Sequence, residues 1–185
     1  MQLSPSTWFS FRGWVPVPLL VAQVALCGPN GGNWLVFGVL LGVGEAVRLW
    51  AAGVIGRQYR TRGSGVGTLA TAGPYAHVRN PLYIGNGLQW VGLGAYSGLG
   101  WALAWGVSAV LLYRCIVPWE EQQVREAWPL EFERWSGEVP AWIPRVSAYG
   151  GNGGSFSLAQ ALRSERSTLL VWLLVVLVLA VAPRI

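Results

Sequence analysis

Apolar runs of bilayer length, broken by Arg-bearing polar segments, constrain this chain most. Residues 33–55 carry only Glu45 and Arg48 as charged groups. About 20 residues of α-helix cross a hydrocarbon core, so this run suffices. Comparable apolar segments occupy 8–27, 82–96, 101–117 and 167–183. Only 11% of the 185 residues are charged and 53% are hydrophobic, whereas soluble domains carry about 25% charged residues. Inside a bilayer a lone segment satisfies its backbone polar groups only as a helix. The expected fold is an all-α polytopic membrane protein: one membrane domain over 1–185, with about five transmembrane helices.

Within the first run, Trp8, Phe9, Phe11 and Trp14 form an aromatic belt around Arg12, and Pro16 and Pro18 predict a kink. The first apolar segment has no clean cleavage pattern and leads straight into a second, so no cleavable signal peptide is expected. Gly38 and Gly42 have the small-xxx-small spacing of close helix contacts. Glu45 and Arg48, three apart, share a helix face and suit either a mutual ion pair or a cavity lining. Gly63–Gly67 lacks the Lys-Ser/Thr of a phosphate loop and reads as a flexible connection. The third and fourth runs predict a tight helical hairpin turning at 97–100. Arg114 is placed to pair with Glu120 or Glu121. Residues 119–135 predict an amphipathic helix interrupted at Pro129. The Gly-rich 147–157 reads as a linker and 156–166 as a short interfacial helix before the last span. Cys27 and Cys115 match no metal-ligand spacing, and no metal site is expected.

Loops 56–81 and 118–166 carry four and five Arg, and the opposite loops 28–32 and 97–100 carry none. By the positive-inside rule both Arg-bearing loops are cytosolic. The net charge of +5 is too small and scattered for a nucleic-acid surface. A composition rich in Arg, Gly and Ala, with no Lys or Asp, points to a bacterial inner membrane.

Between loop and third span stands Gly73-Pro74-Tyr75-Ala76-His77-Val78-Arg79-Asn80-Pro81-Leu82-Tyr83-Ile84-Gly85-Asn86. Gly-Pro predicts a turn. Asn80-Pro81 predicts a helix start, with Asn as N-cap and Pro at the first helical position. The positive end of that helix, beside Arg79 and His77, is a place for a carboxylate or phosphate. Gly85 and Asn86 suit either helix packing or backbone approach to a ligand.

The order Gly-Pro-Tyr-x-x-Val-Arg-x-Pro-x-Tyr-x-Gly resembles the integral-membrane methyltransferases of the isoprenylcysteine carboxyl methyltransferase and phospholipid methyltransferase group. Pro118-Trp119-Glu120-Glu121, Phe132-Glu133-Arg134-Trp135 and Val139-Pro140-Ala141-Trp142-Ile143-Pro144-Arg145 are similar to that group's later segments, in the same order. The core motif region is 73–145. One departure is Asn80, where the group usually has His; His77 matches a position that is often histidine. Thr68–Ala72 resembles a strand-like approach to the motif.

The resemblance implies S-adenosylmethionine as methyl donor and S-adenosylhomocysteine as product. It implies a cytosolic cofactor pocket formed by the loop before the third helix and the segment after the fourth. Gly73, Pro74, Tyr75, His77, Val78, Arg79, Asn80, Pro81, Tyr83, Gly85, Asn86, Glu120 and Glu121 are the expected cofactor-binding residues. Arg79 and His77 would receive the donor's carboxylate, the two glutamates its ammonium or ribose, and Tyr75, Tyr83 or Trp142 its adenine or sulfonium. Glu120, Glu121 and Arg145 are the expected catalytic residues, with either glutamate as base for an amine acceptor. The acceptor, a carboxylate or amine on a lipophilic molecule, would enter from the bilayer. Competing expectations are a reductase of the sterol type using NADPH, which shares a similar Arg-His-Pro-x-Tyr segment, and a non-catalytic membrane scaffold.

Overall fold

The structure is a computed structural model that describes residues 13–27, 32–55, 68–151 and 153–181. These residues form six α-helices: α1 (Pro16–Cys27), α2 (Trp34–Ile55), α3 (Pro81–Ser97), α4 (Leu99–Ala127), α5 (Pro129–Glu138) and α6 (Leu158–Val181), with one 3-10 turn at Gly73–Ala76. No strand occurs among the described residues; Thr68–Ala72 is irregular. The loop 56–67 and residues 1–12 lie outside the described residues, and with them Gly63–Gly67 and the aromatic belt at Trp8–Phe11. Helices α2 and α4 are long and apolar enough to cross a membrane, and Pro16–Leu26 is a shorter apolar helix.

Several boundaries differ from the sequence expectation, each for a local reason. Pro16 and Pro18 do not kink a longer helix; they open α1, where the first N–H groups have no intrahelical acceptor anyway. Helix α4 does not end at 117. It runs through Pro118 to Ala127, losing one backbone bond there, and puts Glu120 and Glu121 in a helix interior instead of at a helix start. The break falls at Trp128, and Pro129 begins α5. The interfacial helix and last span are one continuous helix, α6.

The chain forms two compact units, each built from sequence-remote segments. The first comprises Met1–Gly44, Asn86–Trp119 and Ser167–Ile185. Its core is Phe37, Leu93, Tyr96, Trp105 and Leu179, edged by Trp90 and Trp172. Close packing explains two glycines: a Cβ at Gly94 would lie 2.4 Å from the Trp101 carbonyl, and one at Gly92 would lie 2.8 Å from Leu40 Cβ. A Cβ at Gly38 or Gly42 would meet no described atom within 4 Å, so that pair makes no close helix contact among the described residues. Gln23 is buried in this unit and fully used. Its Nε2 donates to the Leu93 carbonyl and Ser97 Oγ, both at 2.8 Å, and its Oε1 accepts from Trp105 Nε1. A polar group in an apolar body costs several kcal/mol (about 2–7) unless paired in this way.

The second unit comprises Glu45–Gly85 and Glu120–Arg166. It holds all eight acidic residues and all but three of the thirteen Arg; Arg12, Arg114 and Arg184 belong to the first unit. Its core is Ala51, Val54, Leu69, Ala70, Tyr75, Phe132, Trp135 and Val139. Glu45 and Arg48 do form the expected i,i+3 pair, at 3.8 Å, and fully buried Glu165 of α6 bonds the same guanidinium. Nothing in the local spacing announces that second partner.

The Gly-rich stretch after Ser147 is no slack linker. Thr71 N–H and Ala72 N–H both donate to the Gly153 carbonyl at 2.9 and 3.0 Å, and Gly153 N–H donates to Thr71 Oγ1 at 3.1 Å. Tyr149 N–H donates to the Ala76 carbonyl and Ser157 N–H to that of Gly53. A Cβ at Gly153 would sit 1.9 Å from the Leu69 carbonyl, and Gly154 has φ +102°. These glycines let two backbones touch.

Gly153→Ala is therefore expected to destabilise the protein by about 1–3 kcal/mol or more, as overpacking does. Gly87→Ala, where a Cβ meets open space on α3, is expected to be neutral or to stabilise by up to about 1 kcal/mol. Thermal unfolding in detergent, followed by tryptophan fluorescence, checks both.

Candidate active site

Gly73 opens the motif with φ +58°, which a residue without a side chain adopts cheaply. A Cβ there would also lie 2.8 Å from Val54 Cγ2. The 3-10 turn follows, and His77 and Val78 N–H groups donate to the Pro74 carbonyl. Pro74, Tyr75, Ala76 and Val78 are buried. Tyr75 is fixed from the other side, because Trp135 Nε1 donates to its carbonyl at 2.9 Å. Helix α3 starts at Pro81 as the sequence predicts, with Tyr83 and Ile84 N–H groups donating to the Asn80 carbonyl at 3.2 Å.

Arg79 is the hub. Its Nε donates to Glu121 Oε1 at 2.9 Å and its Nη2 to Glu121 Oε2 at 3.3 Å, a bidentate pair. Its Nη1 donates to the carbonyls of Ser136 and Val139 at 3.1 and 2.9 Å. Those carbonyls lie at the C-terminal end of α5, where intrahelical donors run out and the dipole is negative. One guanidinium thus caps α5 and grips α4 together. An arginine has five N–H donors, and these four bonds leave one. The Arg79 backbone adds a bond from its N–H to the Pro140 carbonyl at 2.9 Å.

Asn80 completes the clamp. Its Nδ2 donates to Glu121 Oε1 at 3.1 Å and to the Ala141 carbonyl at 3.2 Å. The protein's own carboxylate, Glu121, therefore stands beside the start of α3, where an anion is favoured. Next to it on α4, Glu120 Oε2 accepts the Tyr83 hydroxyl at 2.7 Å. Val124 follows Glu120 by four residues on the same helix, and Trp128 stands just past its end.

These groups surround a cavity of about 140 Å³ within the second unit. Arg79, Asn80, Tyr83, Glu120 and Glu121 line its polar part; Leu69, Leu82, Val124, Trp128 and Phe132 are among the apolar lining, with Tyr75, Pro81 and Trp135. Tyr75, Phe132 and Trp135 belong to the core, so this part of the wall is closely packed from behind. A cavity of this size holds a fragment about as large as benzene; drug-sized ligands occupy about 300–1,000 Å³.

Seven of the motif residues thus converge: Tyr75, Arg79, Asn80, Pro81, Tyr83, Glu120 and Glu121. The others lie elsewhere in the frame. His77 Nδ1 donates to the Arg145 carbonyl at 2.9 Å, and its ring stands 6.4 Å from that of Trp50. Arg145 N–H donates back to the His77 carbonyl at 3.0 Å. The Arg145 guanidinium bonds Ser147 Oγ at 2.9 Å and Glu138 Oε2 at 3.5 Å. Gly73, Pro74 and Val78 shape the turn. Gly85 is buried on α3, and Asn86 belongs to the first unit. Sequence reasoning missed Trp128, Val124 and Leu69 as lining, and the carbonyls of Ser136, Val139 and Ala141 as partners. The i,i+4 spacing of Val124 and Trp128 behind Glu120 was the available signal for two of them.

The geometry defines a class: a helical protein with bilayer-length apolar helices and a small, partly charged cavity framed by two glutamates and an arginine. The phospholipid methyltransferase family model matches residues 33–130, more than half of the chain, and the chain belongs to that family. It is 36% identical over 116 residues to the cobalt-zinc-cadmium resistance protein CzcN of Cupriavidus metallidurans, covering 60% of this chain and 50% of the relative. It is 33% identical over 113 residues to the nickel-cobalt-cadmium resistance protein NccN of Alcaligenes xylosoxydans xylosoxydans, with the same coverage. The chain thus spans about half the length of the curated relatives it matches. No solved structure matches it.

If Asn80 serves as a neutral double donor, its carboxylate isostere is the worst replacement. Asn80→Ala is expected to cost about 1–3 kcal/mol through lost bonds to Glu121 and Ala141. Asn80→Asp, which sets a second anion against Glu121, is expected to cost more. Unfolding midpoints of the two variants in one detergent give the order.

Proposed function

We propose that this chain transfers a methyl group from S-adenosylmethionine to an amine or carboxylate of a lipophilic acceptor at the membrane. The observation that carries this is the meeting of the motif stretch, Arg79 to Tyr83, with Glu120 and Glu121 of α4 around one cavity. Family membership supports methyl transfer in a membrane setting. The near absence of charge from the apolar runs supports their burial in a bilayer. On this reading α1, α2, α3, α4 and α6 are the spanning helices, and the Arg-bearing segments face the cytosol of a bacterial inner membrane.

The lining suits part of such a donor: carboxylates and phenol for its polar groups, aromatic and aliphatic walls for its apolar surface. When bound, S-adenosylmethionine supplies an electrophilic methyl on a positively charged sulfur. The chain's own residues then divide into two sets. Arg79, Asn80 and Glu121 are spent on one another and on backbone carbonyls, so their work is to hold α4, α5 and the motif loop in register. Positioning of this kind carries much of the rate of a displacement. Glu120, oriented by the Tyr83 hydroxyl, is the carboxylate placed to take a proton from an amine acceptor. A carboxylate acceptor would need no base, only the apolar wall to keep water out. The resistance roles named for CzcN and NccN fit, for this chain, a modification of a membrane component.

Calorimetric titration of the detergent-solubilised protein tests the proposal. Saturable binding of S-adenosylmethionine and S-adenosylhomocysteine, without binding of NADPH, is expected. NADPH binding alone would move the chain to the reductases. A folded sample that binds none of the three would point to the scaffold.

A further inference from the structure

Between Ala141 and Arg145, which bond Asn80 and His77, the chain is irregular and its side chains are exposed. The Ala141 carbonyl accepts from Asn80 Nδ2, and the Pro140 carbonyl from Arg79 N–H. Four residues on, Arg145 N–H donates to the His77 carbonyl, and Tyr149 N–H to that of Ala76. Both stems of this stretch are thus tied to the motif loop. What projects between and just beyond them is apolar: Trp142 is 42% exposed, Ile143 80% and Val146 98%, with Pro144 also exposed. Aliphatic side chains held open on a fixed frame are costly in water and mark a contact surface.

We propose that Trp142, Ile143 and Val146 form a finger that docks into the interfacial zone of a phospholipid bilayer. The finger's backbone is irregular, which bars it from the hydrocarbon centre but not from the headgroup boundary. A tryptophan beside aliphatic residues and an arginine is the composition that settles at that boundary. Three side chains also offer far less than the roughly 800 Å² per partner of a standard protein interface. The chain itself supplies the bilayer, through helices long enough to cross it. The finger is continuous with the cavity, because its first stem is bonded to Arg79 and Asn80, which line it. Docking therefore holds the cavity wall at the depth of lipid headgroups. Its use in presenting an acceptor rests on the methyltransferase reading; the docking itself does not.

The test places an environment-sensitive fluorophore at Ile143→Cys in full-length protein carrying Cys27→Ser and Cys115→Ser, reconstituted in phosphatidylcholine and phosphatidylglycerol nanodiscs. Gln123→Cys on α4 serves as reference. Lipid brominated near the headgroup is expected to quench the label at 143 several-fold more than the reference label, and aqueous iodide less. Strong iodide quenching with no bromolipid effect would overturn the proposal in favour of a water-exposed loop. Protection from both quenchers would overturn it in favour of a protein partner. No cofactor is present, so the result is separate from S-adenosylmethionine binding. Trp142→Phe with Ile143→Leu keeps the apolar tip and is expected to retain the bromolipid contact when labelled at Val146→Cys; loss of contact there would also overturn it.

Discussion

The bidentate contact of Arg79 with Glu121 is the joint on which the second unit depends. It links the motif loop to α4, and the same guanidinium reaches back to the carbonyls of Ser136 and Val139 at the end of α5. Both partners are partly shielded from water, with side chains 18% and 24% exposed. Such a pair is worth more than a surface salt bridge, and removing one member strands the other's charge. Asn80 adds a neutral donor to Glu121 where a histidine would bring a titratable one.

Sequence-remote pieces sort by chemistry. Segments almost free of charge gather Gln23, Trp105 and the aromatic core of the first unit. Segments bearing every glutamate gather the clamp, the Arg48–Glu165 pair and the cavity of the second. The Gly153 backbone and α5 fasten the motif approach from outside. Much of the site's support, including Phe132, Trp135 and Val139, comes from residues beyond the family-matched part 33–130.

Local chemistry was legible in the sequence wherever one or two residues decide a conformation. Gly73-Pro74 made its turn with positive φ, Asn80-Pro81 started α3, and Glu45 met Arg48 one turn away. The convergence of the motif with Glu120 and Glu121 was anticipated from charge, since the positive-inside rule puts both Arg-bearing loops on one face, and from the order of family-like segments. What escaped was nonlocal or depended on competing preferences. The fourth apolar run ends at 117, yet α4 continues through Pro118, because the Glu and Gln residues at 120–123 favour helix and offset one lost bond. Ser147–Ser157 read as a linker because glycine signals freedom and close contact alike; only the Leu69 and Thr71 backbones distinguish them. Arg79 read as a ligand-binding cation, since no spacing foretells that the Glu121 carboxylate of α4 and the Ser136 and Val139 carbonyls at the end of α5 will surround its guanidinium.

A double-mutant cycle on Arg79→Ala and Glu121→Ala, read as unfolding free energy in mixed micelles, tests this arrangement most directly. Groups that act as one joint show coupling of about 1–3 kcal/mol, so the double variant should lose much less than the sum of the two single losses. Additive losses, with coupling under about 0.5 kcal/mol, would mean that the two residues stabilise the protein independently and that the site is held together by something else.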